Sequence, residues 1–584
     1  MNNSVKSALL SIAIILACTS LPALGQEAEP ALAPEPAMAS EPALAPEPAM
    51  ASEPALAPEP TLAPEQALAP AAVADSDAGD VPEPDGAKKS ESADGALDRL
   101  VKSKKIKFEG SYGLHYTYMP TFGLDETGAD DGLRHYLDHR LKLRPSIKIR
   151  KDLELLIDVD LLAGQLAGST TDVAESRALY PRSRNDWTGR SMLRELTLTW
   201  NSRHGRLQVG QVAAQWGMGL VYNSGRSTDR DWTDNLGSDM IERISFDFAP
   251  LAFKWKNSDF ARAFRIMLAG DVVFKDQLAD LMDEDHAYGF SGAVYFDWNP
   301  EKALWRTFTG IHVNYRWQDF HDGFNLRQTT VDFFTEHEFR FRSGDSVKLE
   351  LEAAVTAGES DRQLHLAPSG FDIAGWGMAL RGTYDYHRGV RSSLEFGLAS
   401  GDGNPMDGKA TGFSFDPSYQ VGMILFQDVL ARSAAWGADR AARHAEDWLN
   451  PPGWQMALTD GAVTNALYIH PQFKFYPAKG LDMRLGFLWA RALVPVTSYY
   501  NLYWLGSSEK EGNPVSFKRA EPSKDLGIEL DAGIWYTTPP IWKTLAVRIG
   551  VAGGWCLPGE VFSDSKGKGP GNLFKVRVGI DIVI

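Results

Sequence analysis

The sequence predicts an all-β fold: a transmembrane antiparallel β-barrel of about 18 strands behind a disordered Pro/Ala-rich N-terminal tail. Three observations predict it. Segments that alternate apolar and polar side chains recur from Ile106 to Ile584, the period of a strand with one greasy face. The connections between them run short then long in strict alternation, as in barrels with tight periplasmic turns and long external loops. Aromatic residues make up 11% of the 584 residues, with 17 Trp and 53 Gly, a supply that suits many turns and rings at a membrane interface. The mean hydropathy of −0.26 resembles that of a soluble chain. It does not exclude a barrel, because only every second strand residue faces lipid.

Residues 1–25 read as a secretory signal. Lys6 supplies the positive n-region, Ala8–Ala17 the apolar core, and Ala23-Leu24-Gly25 a small-x-small cleavage pattern before Gln26. Cys18 follows Ile15-Leu16-Ala17, a loose lipobox-like context. No other stretch approaches the continuous apolar run of a transmembrane helix. Residues 26–105 form the expected tail. From 29 to 70 a six-residue unit repeats, as in Glu29-Pro-Ala-Leu-Ala-Pro34. One Leu or Met per unit buries too little to offset ordering entropy, and Pro blocks helix and sheet. Extended at ~3.1 Å per residue, the repeat reaches on the order of 100 Å. It is a spacer, or a reach toward peptidoglycan or a periplasmic partner. Ala93–Lys105 fits one short basic helix. The tail holds 16 acidic and 6 basic residues, so most of the net charge of −17 lies outside the barrel. What remains is mildly acidic, which argues against nucleic-acid binding. With Cys18 gone, Cys556 is alone and no intrachain disulfide is possible.

The barrel is expected over 106–584. In order, the strands are expected at 106–118, 134–150, 152–164, 190–201, 205–214, 241–256, 261–275, 286–298 and 305–318. The second half follows at 327–342, 346–358, 372–387, 390–400, 463–478, 480–492, 524–537, 542–554 and 572–584. Short turns include Asn201–Gly205, Asn257–Phe260, Ser343–Asp345 and His387–Gly389; long loops include 165–189, 215–240, 401–462 and 493–523. An even count with both termini periplasmic closes properly. The run Tyr419–Phe426 has strand character but would break the parity, so it is assigned to the loop 401–462. The same loop carries an Ala/Arg-rich helical pattern, Asp428–Glu446, suited to folding over or into the mouth as a gate.

Lipid-compatible outward sets include Ile244/Phe246/Phe248, Phe264/Ile266/Leu268, Leu349/Leu351/Ala353, Leu394/Phe396/Leu398 and Leu545/Val547/Ile549/Val551. Trp200, Trp317, Tyr384, Tyr386, Trp489 and Tyr536 lie near segment ends, as girdle residues do. The inward faces carry the candidate pore lining. The bases are Arg140, Lys142, Arg144, Lys148, Arg206, Arg243, Arg265, Arg316, Arg340, Arg381, Arg484 and Arg548. The acids are Glu154, Asp158, Asp160, Glu338, Glu350, Glu529 and Asp531. The two signs are close to balanced across the lumen as a whole. The strand at 134–150 is basic and its neighbour 152–162 acidic, so a hairpin sets the two ladders side by side and favours ion pairing.

Catalytic patterns are thin. Twelve histidines are scattered without an HExxH or His-x-His arrangement, and no Ser and His occupy adjacent outward positions as a barrel lipase needs. Asp283-Glu284-Asp285 and Asp402 with Asp407 read as solvated loop acids sooner than a Ca²⁺ site. No enzyme activity, cofactor or metal is expected.

Several segments resemble the alginate-export family of 18-stranded outer-membrane barrels. They are Leu207-Gln-Val-Gly-Gln-Val-Ala-Ala-Gln-Trp-Gly217, Ser400-Gly-Asp402 at a strand's outer end, and Gly527-Ile-Glu-Leu-Asp531 followed by Leu557-Pro-Gly559. The terminal strand, with Phe574, Val576, Val578, Ile580, Ile582 and Ile584 on one face, is similar to an outer-membrane assembly signal, although it ends in Ile where Phe or Trp is usual. The resemblance spans 106–584. It implies the fold and a polysaccharide-type solute. Gln211 stands where the family tends to have Arg, and the balanced lumen departs from an arginine-dominated polyanion pore. The expected function is therefore an outer-membrane channel for a hydrophilic solute, saccharide or anionic, with membrane lipid as its surroundings. The alternative is an envelope-tethering barrel that uses its tail to contact peptidoglycan or periplasmic proteins.

Overall fold

The computed structural model describes residues 105–584 except 172, 174–184, 203, 227–238, 256–257, 301–302, 363–369, 405–406, 444–457, 499, 502–515, 519–521, 542–543 and 584. The expected signal, the repeat tail and the expected helix Ala93–Lys105, save its last residue, lie outside the described residues.

Eighteen long strands form one antiparallel sheet. They are β1 (Ile106–Tyr118), β2 (His135–Lys148), β3 (Leu153–Gly168), β4 (Met192–Asn201), β5 (Arg206–Ala213), β6 (Met240–Phe248), β7 (Phe264–Lys275), β8 (His286–Trp298) and β9 (Trp305–Asp319). Then come β10 (Asn325–Arg340), β11 (Ser346–Ser360), β12 (Phe371–Tyr386), β13 (Val390–Ala399), β15 (Ala466–Ala478), β16 (Leu481–Arg491), β17 (Asp525–Thr537), β18 (Ala546–Pro558) and β19 (Leu573–Val583). The remaining strand, β14 (Lys409–Ala410), is a two-residue addition beside the start of β12. Each long strand pairs with its sequence neighbour, and β1 pairs with β19 from Ser111↔Val583 to Tyr118↔Val576. The sheet therefore has no open edge, which is how a β-structure satisfies its backbone in hydrocarbon.

Alternation holds around the wall. On β17, Glu529 and Asp531 are buried while Leu530 is exposed; on β12, Ala379 is buried while Trp376 and Leu380 are exposed. Ile244, Leu268, Leu349, Leu394, Ile549 and Val578 all present their side chains outward. Trp200, Tyr384 and Tyr536 are exposed near strand ends. Among the described residues no helix is long and apolar enough to cross a membrane; the strands do so. A closed antiparallel cylinder with an apolar exterior and charged interior is the architecture of the bacterial outer membrane, and that is where the protein resides.

Two features correct the sequence reading. The strands expected at 241–256 and 261–275 are shorter, because residues 249–263 form a connection holding the short helices Pro250–Lys254 and Asp259–Ala263. Pro250 sits in the first helical turn, where no N–H is needed, and Ser258 caps the second helix through Ala261 N at 3.2 Å. The alternation Leu251, Phe253, Trp255 imitates a strand. The strict short–long rule also fails, since this connection outruns the opposite-side loop 320–324 between β9 and β10.

The loop 400–465 turns into the barrel. Tyr419–Phe426 is not a strand: it leads into a π-helical turn, Leu425–Leu430, and the helix Ala431–Arg443. Together with residues from 119–124 and 216–220 it builds an apolar core inside the wall, around Phe415, Tyr419, Ile424 and Phe426.

Candidate functional site

The lumen of this barrel is where the expected side chains meet. The basic ladder of β2 faces the acidic ladder of β3: Arg140 pairs with Asp160 at 2.8 Å and Lys142 with Asp158 at 3.4 Å. Arg144 reaches Asp158 at 3.7 Å. Arg194 and Arg226, absent from the sequence list, join the same acids. Glu154 accepts from the Ser146 hydroxyl and registers with Lys148. Further round, Asp247 takes Arg265 at 2.8 Å, Arg206 at 3.2 Å and the Tyr295 hydroxyl at 2.7 Å. Arg243 binds Asp271 in bidentate fashion at 2.7 and 2.8 Å, and Arg316 holds loop residue Asp276. Arg381 pairs with Glu350 at 2.6 Å, and Arg340 and Arg306 with Glu338 at 2.7 and 3.1 Å. Arg484 and Arg548 both lie over the Trp535 ring, 5.1 and 5.3 Å from its centroid. Most of the expected bases are therefore committed to named acids or rings.

Glu529 and Asp531 do something different. Gly422, at φ +72°, turns the inward loop so that successive amides converge on Glu529. Met423 N donates to its carboxylate, with Ile424 N at 2.9 Å and Leu425 N at 2.7 Å. A run of backbone N–H groups of this kind is an anion nest. The motif occurs twice. Gly217, at φ +52°, begins Gly-Met-Gly-Leu in the loop between β5 and β6, as Gly422 begins Gly-Met-Ile-Leu. Met218 N, Gly219 N at 3.0 Å and Leu220 N at 2.9 Å donate to Glu352 of β11. Each nested Glu has a buried Asp beside it, Asp332 for Glu352 and Asp531 for Glu529. The loops themselves meet where Asp416 N donates to Leu220 O at 2.7 Å. The Gly-Met-x-Leu repeat was the available sequence signal. Its partners lie more than a hundred residues away, beyond any periodicity.

The inward helix is anchored by charge. Arg432, almost wholly buried, grips Asp131 and donates to Leu133 O at 2.9 Å. Arg440 pairs with Glu126 and Asp125 at 3.1 Å and lies 3.9 Å from the Tyr500 ring centroid. Lys575 of β19 holds Asp428 at 2.7 Å and Met423 O at 3.1 Å. Ala434, Ala435 and Ala438 allow close approach to the wall.

Near the turns 341–345 and 387–389 a cavity of about 210 Å³ opens in the lumen. Lys348, Arg381, Arg391 and Lys474 line it, against Glu338 and Asp385, with Ser346, Thr383 and Ser393 between them. Among the described residues no group of His, Cys, Asp and Glu is arranged to hold a metal ion.

No family model matches the chain, and no curated protein matches its sequence. The alginate-export family is therefore not shown. Solved structures do match in outline. OccAB1 of Acinetobacter baumannii is 9% identical, with a TM-score of 0.45 over 82% of this chain and 97% of that one. OpdK of Pseudomonas aeruginosa, solved with vanillate, is 11% identical, with a TM-score of 0.44 over 82% and 99%. OccK2 (OpdF) of the same organism, in complex with glucuronate, is 10% identical, with a TM-score of 0.43 over 82% and 98%. These are distant similarities of outline, and the barrel itself stands on its own closed strand pairing.

Proposed function

We propose that the protein is an outer-membrane channel that passes a hydrophilic solute, saccharide or anionic in character, through its charged lumen. The observation that carries this reading is the lumenal cavity beside β10–β15, where four cations, two carboxylates and a row of hydroxyls converge on one space. Such a lining replaces water contacts for sugar hydroxyls and carboxylates and sets the sign of the field along the path. Arg381 and Glu338, expected from the sequence, line this cavity. The β2–β3 ion pairs set the shape of the opposite wall, and Glu529 and Glu352 position the inward loops that narrow the path.

The test is conductance across a planar bilayer with purified protein. Discrete channels are expected, with the reversal potential in a salt gradient moving toward cation selectivity when Arg381 and Lys474 are both changed to Gln. A bilayer silent at every voltage overturns the reading; unchanged selectivity removes the cavity from the path.

A further inference from the structure

We infer that the inward-folded loops are fastened by carboxyl pairs that each share a proton, so that alkaline pH releases them from the lumen. The opening of a solute path rests on the channel reading above; the release itself does not.

The geometry is repeated at three places. Asp531 stands two residues from Glu529 on the buried face of β17, Asp332 beside Glu352 on the paired strands β10 and β11, and Asp239 beside Asp416 where the two inward loops meet, all six side chains buried. Among the described residues the buried oxygens of Asp531 and Asp332 make no well-formed hydrogen bond to a donor; the nearest N–H groups are Met423 N and the Trp216 indole. Two carboxylates have only acceptors to offer each other, so a contact of this kind needs a proton between them. In two of the pairs the Glu is already enclosed by three backbone N–H groups, which leaves the Asp as the proton carrier. Asp531 also packs against bare backbone: a Cβ at Gly554 would stand 2.6 Å from its Oδ1.

The cations near the pairs are each bonded to another acid. At Glu529/Asp531 the facing groups are Lys575 on β19, Asp428 on the loop and Cys556 on β18; Lys575 is already bonded to Asp428. At Asp332/Glu352 the neighbour is the Trp216 indole, itself against His312 of β9 with ring centroids 5.2 Å apart. At Asp239/Asp416 a third carboxylate, Asp276, faces the pair and is held by Arg316, while Arg243, bonded to Asp271, and Tyr222 lie nearby. Glu529 and Glu352 each hold an inward loop to the wall through its amides, with the partner Asp on the wall beside them, and Asp239 and Asp416 stand where the two inward loops meet. Removing the proton sets two negative charges in contact at the point of attachment. The closed state then binds more protons than the released one, so its weight falls as pH rises, roughly tenfold per pH unit for each proton lost on release.

Cys556 is a native reporter. It is buried on the inward face beside Glu529, opposite it in the strand register. The experiment measures labelling of Cys556 in the folded barrel by a membrane-impermeant maleimide from pH 5 to pH 9. Each rate is divided by that of the denatured protein at the same pH, which removes the thiol's own titration. The normalised rate is expected to rise tenfold or more over this range and to stay flat in Asp531→Asn, whose amide donates to Glu529 at any pH. A flat profile in the unmodified protein overturns the inference, as does an Asn variant that titrates like it. Should Asp531→Asn fail to fold, the unmodified profile still decides. Bilayer conductance separates the two readings: channels whose opening ignores pH sink the carboxyl fastening and leave the channel, whereas pH-dependent labelling without any conductance does the reverse.

Discussion

At the scale of single residues, the lumen is governed by where a carboxyl sits. Gly217 and Gly422 create the nests for Glu352 and Glu529 through left-handed backbone that a side chain would strain. A Cβ at Gly217 would also collide with the Glu352 carboxylate. Replacing either glycine with Val should cost about 1–3 kcal/mol of loop attachment, seen as faster hydrogen exchange of the following amides without loss of barrel assembly. In the loops, burial raises Asp416 to about 7, and burial followed by the Asp416 charge holds Asp239 well above its usual range. The sign follows directly. An acid whose folded pKa is raised contributes fully below its unfolded value, and that contribution is lost as pH rises through the folded one. The junction of the two inward loops should therefore loosen between about pH 6 and pH 8, and Asp416→Asn should abolish that transition. Exchange rates of the Asn223 and Ser418 amides, which donate to Asp239 and Asp416 at 3.1 and 2.7 Å, report it.

At the scale of elements, the inward helix Ala431–Arg443 is tied to the loop after β1 by the buried ion pair of Arg432 with Asp131. Arg432→Ala leaves Asp131 buried and uncompensated, which should cost about 3–5 kcal/mol. The double change Arg432→Met with Asp131→Leu should recover most of it. Urea titrations of the two variants, followed by Trp436 protection, distinguish these outcomes; equal losses would mean that the ion pair itself, and not the stranded charge of Asp131, carries the attachment. The same helix shows what was legible beforehand. Its Ala/Arg pattern was readable as a helix at Asp428–Glu446, and the strands were readable because a two-sided wall imposes a period of two. The β2–β3 ion pairs followed from that period plus a hairpin. The connection 249–263 was misread because Leu251, Phe253 and Trp255 keep the strand period inside a helical turn, with Pro250 the sole opposing signal. The nests were not readable from the strands that receive them, since nothing local to Glu352 or Glu529 announces a loop folding inward from another part of the chain; the Gly-Met-x-Leu repeat marks only the donor side.

At the scale of the whole molecule, one cylinder separates two solvents, and the same substitution has opposite consequences on its two faces. Val578 lies at the middle of β19, outward, registered with Tyr116 of β1 and Val551 of β18 across the seam that closes the barrel. A lysine there carries its charge to the centre of the hydrocarbon and should cost about 2–4 kcal/mol. Thr383 of β12 faces the polar cavity instead. A lysine at Thr383 stays hydrated and adds one cation to Lys348, Arg381, Arg391 and Lys474. It should change stability by less than about 1 kcal/mol while shifting selectivity toward anions. Folding into lipid vesicles across a urea series, read by the mobility difference between folded and unfolded barrels, measures the first quantity, and reversal potential the second. A barrel indifferent to Val578→Lys, or destabilised equally by Thr383→Lys, would mean that the greasy face is not against lipid and the charged face is not against water.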